Sequence, residues 1–248
     1  MSPPRISLVV PCFNEAARLD GDAFVAFVCE RADRRLCFVD DGSSDGTAAR
    51  LAEIAAAAPD RIAVERLPSN RGKGEAVRAG LRAELARGTR YVGYWDADLA
   101  TPLRFAETLA DYLDAHPELV LAAGSRVLML GRAITRRPAR HYVGRIAATL
   151  VSLVLGAPIY DSQCGAKLLR NGPDLAALLE ARFATRWLFD VELFDRIARA
   201  EPRAPAGALG QRVHEVPVPV WSDAPGSKVR LRDWLRVPID LARIWRAR

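Results

Sequence analysis

The sequence is poor in the residues that build thiolate, disulfide or imidazole metal centres. Its four cysteines, Cys12, Cys29, Cys37 and Cys164, form no CxxC pair. That excludes a zinc ribbon and a thiol–disulfide motif, and makes free thiols in a reducing compartment the plain reading. The three histidines, His116, His141 and His214, are scattered and form no ligand motif. No run is long enough to span a bilayer. The longest apolar stretch, Ile146 to Ile159, has 14 residues and contains Gly156 and Pro158, against the roughly 20 residues that a membrane helix needs. It reads as a core helix or an interfacial one. The opening Met-Ser-Pro-Pro-Arg carries no apolar signal region. Neither GxxxxGK[ST] nor a GxGxxG after the first strand is present, so a P-loop enzyme and a dinucleotide enzyme are both excluded. Basic residues are not spread over the chain. The last 21 residues hold seven basic and two acidic side chains, nearly all of the net charge of +6, which argues against a nucleic-acid-binding body.

What is present is a regular alternation. Apolar runs at 6–10, 36–40, 62–67, 91–95 and 119–124 read as strands. Helical spacing fills 18–32, 47–58 and 103–116 between them, and 69–88 reads as a loop followed by a helix. Short loops rich in glycine and aspartate join the two. This is the pattern of βαβ units: an α/β fold with a mainly parallel central sheet flanked by helices. After about residue 125 the alternation stops. Residues 139–200 read mostly as helices broken by a loop at 160–165, and 214–220 as a late strand on a sheet edge because of its prolines. In the tail, helical spacing puts Leu231, Trp234, Leu235, Pro238, Ala242 and Trp245 on one face and arginines on much of the rest. That segment is either a helix packed on the body or a basic helix on an anionic membrane surface.

Ligands of open parallel sheets bind beyond the carboxyl ends of the strands, and the polar residues cluster there. The first strand ends near Pro11, Asn14 and Glu15, and the second at Asp40 and Asp41. The third leads to Asn70-Arg71-Gly72-Lys73-Gly74, and the fourth to Asp96 and Asp98. Asp96 and Asp98 are two apart and share a side of an extended chain, so their like charges call for a cation between them; a divalent ion with oxygen ligands is the natural choice. A lysine between two glycines at a helix start, with bare backbone N–H groups, suits a phosphate or diphosphate. Asp40 and Asp41 offer acceptors to a nucleobase and a ribose, or form an Asx turn that caps the next helix.

Taken in order, VVPCFNEAARL, VDDGSSDGT, NRGKGEAVRAG and DADLATP resemble the inverting family-2 glycosyltransferases with the GT-A fold. The segments GSR (124–126), DSQCGAKLL (161–169), RWLFDVELF (186–194), EVPVPVW (215–221) and GSK (226–228) narrow the resemblance to the dolichyl-phosphate β-glucosyltransferases and their bacterial polyprenyl-phosphate relatives. The resemblance implies one GT-A domain over 1–227, with a nucleotide-sugar half (1–125) and an acceptor half (126–227), followed by the basic segment 228–248. It implies a metal-dependent transfer of a hexose, glucose from UDP-glucose, onto a polyprenyl or dolichyl phosphate to give a β-linked sugar. Asp96-Ala97-Asp98 becomes the DxD motif: Asp98 binds Mg²⁺ or Mn²⁺, and Asp96 binds the metal or the ribose. Pro11, Asn14, Glu15, Asp40, Asp41 and Lys73 are the donor-binding candidates. Uracil and guanine both remain open for Asp40.

A phosphate acceptor needs no strong base, because its second pKa is about 6. It needs cations, for which Arg126, Lys167 and either Arg140 or Arg145 are candidates. A hydroxyl acceptor on a glycan or soluble molecule, the alternative reading, needs a carboxylate base. Asp161, Asp190 and Glu192 are the candidates, with Asp190 preferred. Gln163 and Trp221 are candidate sugar contacts or packed residues. Cys164 reads as a packed residue rather than a nucleophile. The sequence departs from the family at Ala166, where an aromatic residue is usual, which points to an altered acceptor or sugar pocket. It also begins at the first strand, where the eukaryotic members carry a membrane anchor. The expected location is cytoplasmic, on the inner face of the cytoplasmic membrane of a bacterium. Two other classes fit less well: a haloacid-dehalogenase-like phosphatase, whose DxDx[TV] motif is broken by Ala100 and which usually opens the chain, and a non-catalytic membrane scaffold.

Overall fold

Each early apolar run forms a strand, and each periodic stretch after it forms a helix. In chain order these are β1 (Ile6–Cys12), α1 (Gly21–Glu30), β2 (Arg34–Asp40), α2 (Thr47–Ala56), β3 (Ile62–Arg66), α3 (Lys73–Leu85), β4 (Tyr91–Trp95), α4 (Phe105–Ala115) and β5 (Leu121–Ser125). The later half adds β6 (Ala133–Thr135), α5 (Pro138–Leu155), β7 (Ala166–Arg170), α6 (Pro173–Leu178), α7 (Phe189–Arg199), α8 (Leu209–Arg212), β8 (Val213–Pro217), β9 (Val220–Ser222) and α9 (Leu231–Arg246). The computed structural model describes residues 3–135, 138–200, 209–222 and 231–246, with the backbone alone for 138–143 and 231–235.

The central sheet has seven strands in the order β3-β2-β1-β4-β7-β5-β8. Strands β1 to β4 pair in parallel, as does β5 with β8. The expected α/β architecture holds, with one strand that the sequence reading missed. β7 runs antiparallel between β4 and β5, so the later half inserts a strand into the middle of the earlier half's sheet. A second, two-stranded sheet joins β6 to β9.

Apolar layers cover both faces, which is why β1 and β2 read as continuous apolar runs rather than alternating ones. Successive residues still alternate. Leu8 and Val10 enter one layer with Phe24, Phe38 and Leu109, while Val9 enters the other with Val39, Val77, Leu81 and Phe189. Pro11 does not end β1 as expected. It pairs in register with Val39 of β2, and the pairing with β4 has already stopped at Val9, so its missing N–H costs no ladder bond there.

Helix α9 carries two apolar stripes, and the structure selects the other one. Val237, Leu241 and Ile244, spaced i, i+4, i+7, are buried in the second layer, and α9 packs on α5. Pro238, Ala242 and Trp245, from the expected face, are exposed. The side chains of Leu231, Trp234 and Leu235 and the GSK segment lie outside the described residues.

Candidate active site

The carboxyl ends of β1, β2 and β4 and the loops after β3 and before β7 converge, and the loops fix each other before any ligand is considered. Asn14, in the left-handed region at φ 52°, donates its N–H to Ser43 Oγ at 3.0 Å and accepts the Ser44 N–H at 2.9 Å. Glu15 donates its N–H to Thr47 Oγ1 and accepts both Nε and Nη2 of Arg18 at 2.8 Å. These two donor-binding candidates therefore bolt the first strand end to the second.

Asp40 and Asp41 divide the work. Asp40 is fully buried; its Oδ1 accepts the Ser43 N–H at 2.9 Å, the Asx turn that the sequence allowed. Its Oδ2 has no hydrogen-bond partner among the described residues, although Arg66 Nε lies 3.3 Å away. A cavity of about 380 Å³ lined by Gly42, Ser43, Arg66, Leu67 and Pro68 opens beside it. Asp41 accepts the N–H groups of Arg71 at 2.7 Å and Gly72 at 2.8 Å. Burial raises its pKa, against those hydrogen bonds. Asp41 thus clamps the backbone of the loop at Arg71 and Gly72.

That clamp corrects an expectation. The N–H groups of the loop are not bare: those of Arg71 and Gly72 go to Asp41, and that of Gly74 goes to the Arg186 carbonyl at 3.2 Å. Gly72 sits at φ 96°, and a Cβ there would lie 2.8 Å from Arg186 Nε. The Lys73 side chain stands at the start of α3. Its Nζ donates to Asp96 Oδ1 at 2.5 Å and lies 5.9 Å from the ring centre of the half-exposed Trp187.

Asp96 and Asp98 stand at the tip of β4 as expected. Burial would raise the Asp96 pKa, but Lys73, with help from Arg126 and Lys167, outweighs it and holds the carboxyl below the usual range. Asp98 faces solvent and accepts the Ala100 N–H at 3.2 Å. Partial burial and the Asp96 charge push its pKa up, which is the repulsion read from the DxD spacing. Gly165 closes on the pair. Its carbonyl accepts the Asp96 N–H at 3.0 Å, and a Cβ at this position would fall 1.8 Å from Asp96 Oδ2. The two carboxylates bring only oxygen donors, and among the described residues no group of three or more His, Cys, Asp or Glu side chains could hold a metal. This set fits a hard divalent ion that completes its shell with water and substrate oxygens, Mg²⁺ or Mn²⁺.

The residues from the later half fall into two groups. Arg126 meets Asp161 edge on, Nε to Oδ2 at 2.6 Å and Nη2 to Oδ1 at 2.7 Å, and lies 5.1 Å from the ring centre of the packed Trp221. Arg145 donates to the Tyr160 carbonyl at 3.0 Å and stacks on the Tyr160 ring, next in sequence to Asp161. The Arg140 side chain lies outside the described residues. Lys167 departs from expectation. It is fully buried, and its three N–H bonds go to the carbonyls of Ser162 (2.9 Å) and Cys164 (2.6 Å) and to Asp190 Oδ1 (2.6 Å). Its donors are spent, so it braces the 160–165 loop instead of meeting an acceptor phosphate.

The expected base is equally committed. Asp190 Oδ1 also accepts the Tyr94 hydroxyl. Glu192 accepts the Ala184 N–H and Arg196 Nη2, both at 2.8 Å. Burial pushes the Cys164 thiol up to about 11, so it stays protonated and inert, as expected. Ala166 lies in the first apolar layer, paired with Trp95, and does not line the site. Gln163 keeps a buried, unpartnered Nε2. Sequence reasoning missed Gly165, Tyr94, Arg186 and Glu215. Gly165, Arg186 and Glu215 nevertheless lie in segments that carry the family resemblance.

The chain resembles known proteins over most of its length. The model of the family described as Glycosyl transferase family 2 matches residues 7–174. The dolichyl-phosphate beta-glucosyltransferase of Mus musculus is 33% identical over 252 residues, 96% of this chain and 74% of the relative. The polyprenol monophosphomannose synthase of Mycolicibacterium smegmatis is 33% identical over 169 residues, 67% of this chain and 62% of the relative. Among solved structures, glucosyl-3-phosphoglycerate synthase from Mycobacterium tuberculosis, in complex with Mn²⁺, uridine-diphosphate and glucosyl-3-phosphoglycerate, superposes with a TM-score of 0.66 at 19% identity, covering 97% of this chain and 80% of that one.

Proposed function

The chain belongs to glycosyl transferase family 2, and from that premise we propose that it moves a hexose, glucose from UDP-glucose, onto a polyprenyl or dolichyl phosphate with inversion to the β-linked product. The observation that carries the reading is the state of the carboxylates in the acceptor half. Asp161, Asp190 and Glu192, the three candidate bases, are each held by a cation. A hydroxyl nucleophile would find none of these three ready to take its proton, whereas a phosphate monoester arrives mostly ionised near neutral pH. Attack from the face opposite the departing diphosphate inverts the anomeric carbon.

The roles follow from position. Asp40 Oδ2, buried, without a hydrogen bond and 3.3 Å from Arg66, whose side chain lines the 380 Å³ cavity, accepts an N–H from the nucleobase, uracil in this reading. Lys73 exchanges Asp96 for the donor diphosphate. Asp96 and Asp98 hold Mg²⁺ or Mn²⁺, which when bound neutralises charge on the departing diphosphate. Arg126 draws in the acceptor phosphate: Asp161 takes two of its five N–H groups, and no other acceptor among the described residues takes the rest. Lys167 and Asp190 keep the loop that carries Asp161 and Gly165 rigid.

A lipid acceptor asks for a membrane surface. No helix among the described residues is long and apolar enough to cross a bilayer. Exposed Ile146, Leu150 and Leu153 form one stripe of α5, spaced i, i+4, i+7. Exposed Ile239 and Trp245 on α9 lie among Arg236, Arg243 and Arg246. These features support a peripheral enzyme on the anionic inner face of a bacterial cytoplasmic membrane. The test is label from UDP-glucose, with GDP-mannose as the rival donor, supplied with a short polyprenyl phosphate and either Mg²⁺ or a chelator. Metal-dependent label in the organic phase from UDP-glucose is expected. Label from GDP-mannose alone would overturn the donor, and label that survives chelation would overturn the metal.

A further inference from the structure

Glu215 sits on β8, the edge strand, opposite Ala123 of β5. It touches none of the groups assigned to donor, metal or acceptor. Its carboxylate nevertheless gathers three donors from two separate segments. Oε1 accepts the Asp161 N–H at 2.6 Å and the Ser125 hydroxyl at 3.1 Å, and Oε2 accepts the Tyr160 N–H at 2.7 Å. The backbone N–H groups of Tyr160 and Asp161 leave a loop and need an acceptor once buried; Glu215 is that acceptor. Ser125 is the residue before Arg126, and Asp161 is the residue that grips Arg126. One carboxylate therefore fixes both ends of the Arg126–Asp161 pair.

The pair is tightly specified as a result. Asp161 Oδ2 takes the Arg126 backbone N–H at 3.1 Å as well as its Nε, and Trp221 lies against the guanidinium. One edge and one face of the guanidinium are thus set by protein. The direction in which the guanidinium is held sets where an incoming phosphate can meet it. Bidentate guanidinium geometry makes that direction sharp.

We propose that Glu215 is a positioning residue for the acceptor, aiming Arg126 at the polyprenyl phosphate through Asp161 and Ser125 without touching substrate. This rests on the lipid-phosphate reading given above. Glu215→Gln is the sharpest probe. It keeps the shape, but its amide NH₂ must then face a backbone N–H, donor against donor.

The experiment measures transfer from UDP-glucose to a short polyprenyl phosphate by wild type, Glu215→Gln, Arg126→Lys and the double variant, with thermal melts of each. Glu215→Gln should raise the acceptor KM about tenfold, the scale of one compromised charged hydrogen bond. The UDP-glucose KM and the kcat at saturating acceptor should hold. In the Arg126→Lys background the same change should add little, because the effect runs through Arg126. Glu215→Asp, which retains the carboxylate, should recover part of the loss, and it replaces Glu215→Gln in the comparison should that variant melt. An unmoved acceptor KM, equal penalties in both backgrounds, or a donor KM that rises in step with the acceptor KM would each overturn the proposal. A wild-type enzyme that labels no lipid phosphate would instead remove the reading on which it rests.

Discussion

Lys73 and Lys167 each hold an aspartate, Asp96 at 2.5 Å and Asp190 at 2.6 Å. Lys73 stands at a helix start, 22% exposed, with one carboxylate partner. Lys167 stands on a central strand, 0% exposed, with one carboxylate and two carbonyls around it. The first pair has room to open and admit an anion. The second has none, because every donor is spent and any new partner would first have to displace a buried one. In the proposed function the same two residue types would serve exchange with the donor and rigidity of the 160–165 loop. Surroundings, not residue identity, assign the role.

Substitutions that separate the two pairs should have unlike signatures. The largest effect belongs to the donor side: Asp98→Ala should abolish metal-dependent transfer while its melting temperature stays near wild type, since Asp98 is exposed. An active, metal-dependent Asp98→Ala protein would remove the DxD assignment. Lys73→Ala should lower kcat/KM by about 10² to 10³, as for loss of one preorganised charge contact, again with little change in melting. Lys167→Ala should do the reverse. Leaving Asp190 buried without its cation costs about 3–5 kcal/mol, read as a drop of roughly 10 °C in Tm. A Lys167→Ala protein that melts like wild type but fails to bind acceptor would dissolve the contrast.

Smaller changes sharpen it. Gly165→Ala would force a Cβ onto the Asp96 carboxylate, and a shift on the order of 1 Å there should lower transfer about 10²-fold; unchanged kinetics would mean that the loop yields freely. The mildest expected effect is at the periphery. Trp245→Glu, on an exposed position of α9, should weaken co-sedimentation with anionic vesicles several-fold and leave activity on a detergent-dispersed acceptor intact. Unaltered sedimentation would show that α9 only packs on the body.

The first half of the chain was legible because its signals are local. Strands β1 to β5 alternate with periodic helices, and the aspartates and glycines fall at their tips, so Asp96, Asp98 and Lys73 could be named from spacing. The later half was not, because its decisive features are long-range. β7 is five residues of buried chain, and a short apolar run carries no period that distinguishes a covered strand from a helix. With β7 missed, Lys167 read as a cation facing substrate; its burial follows only from being paired between β4 and β5. Helix α9 offered two apolar stripes, and which one turns inward depends on α5, not on α9. Glu215 opened a segment of the family resemblance but carried no sign of its partners, since a glutamate in an edge strand looks like a solvated one until Tyr160 and Asp161 are brought to it.

The central claim is that the nucleophile arrives already ionised and no side-chain carboxylate serves as its base. Offering the enzyme UDP-glucose with a polyprenyl phosphate and, side by side, with the matching polyprenol tests it most directly. The account predicts labelled product from the phosphate and none from the alcohol. Label on the alcohol would contradict it and return Asp190 to the role of base.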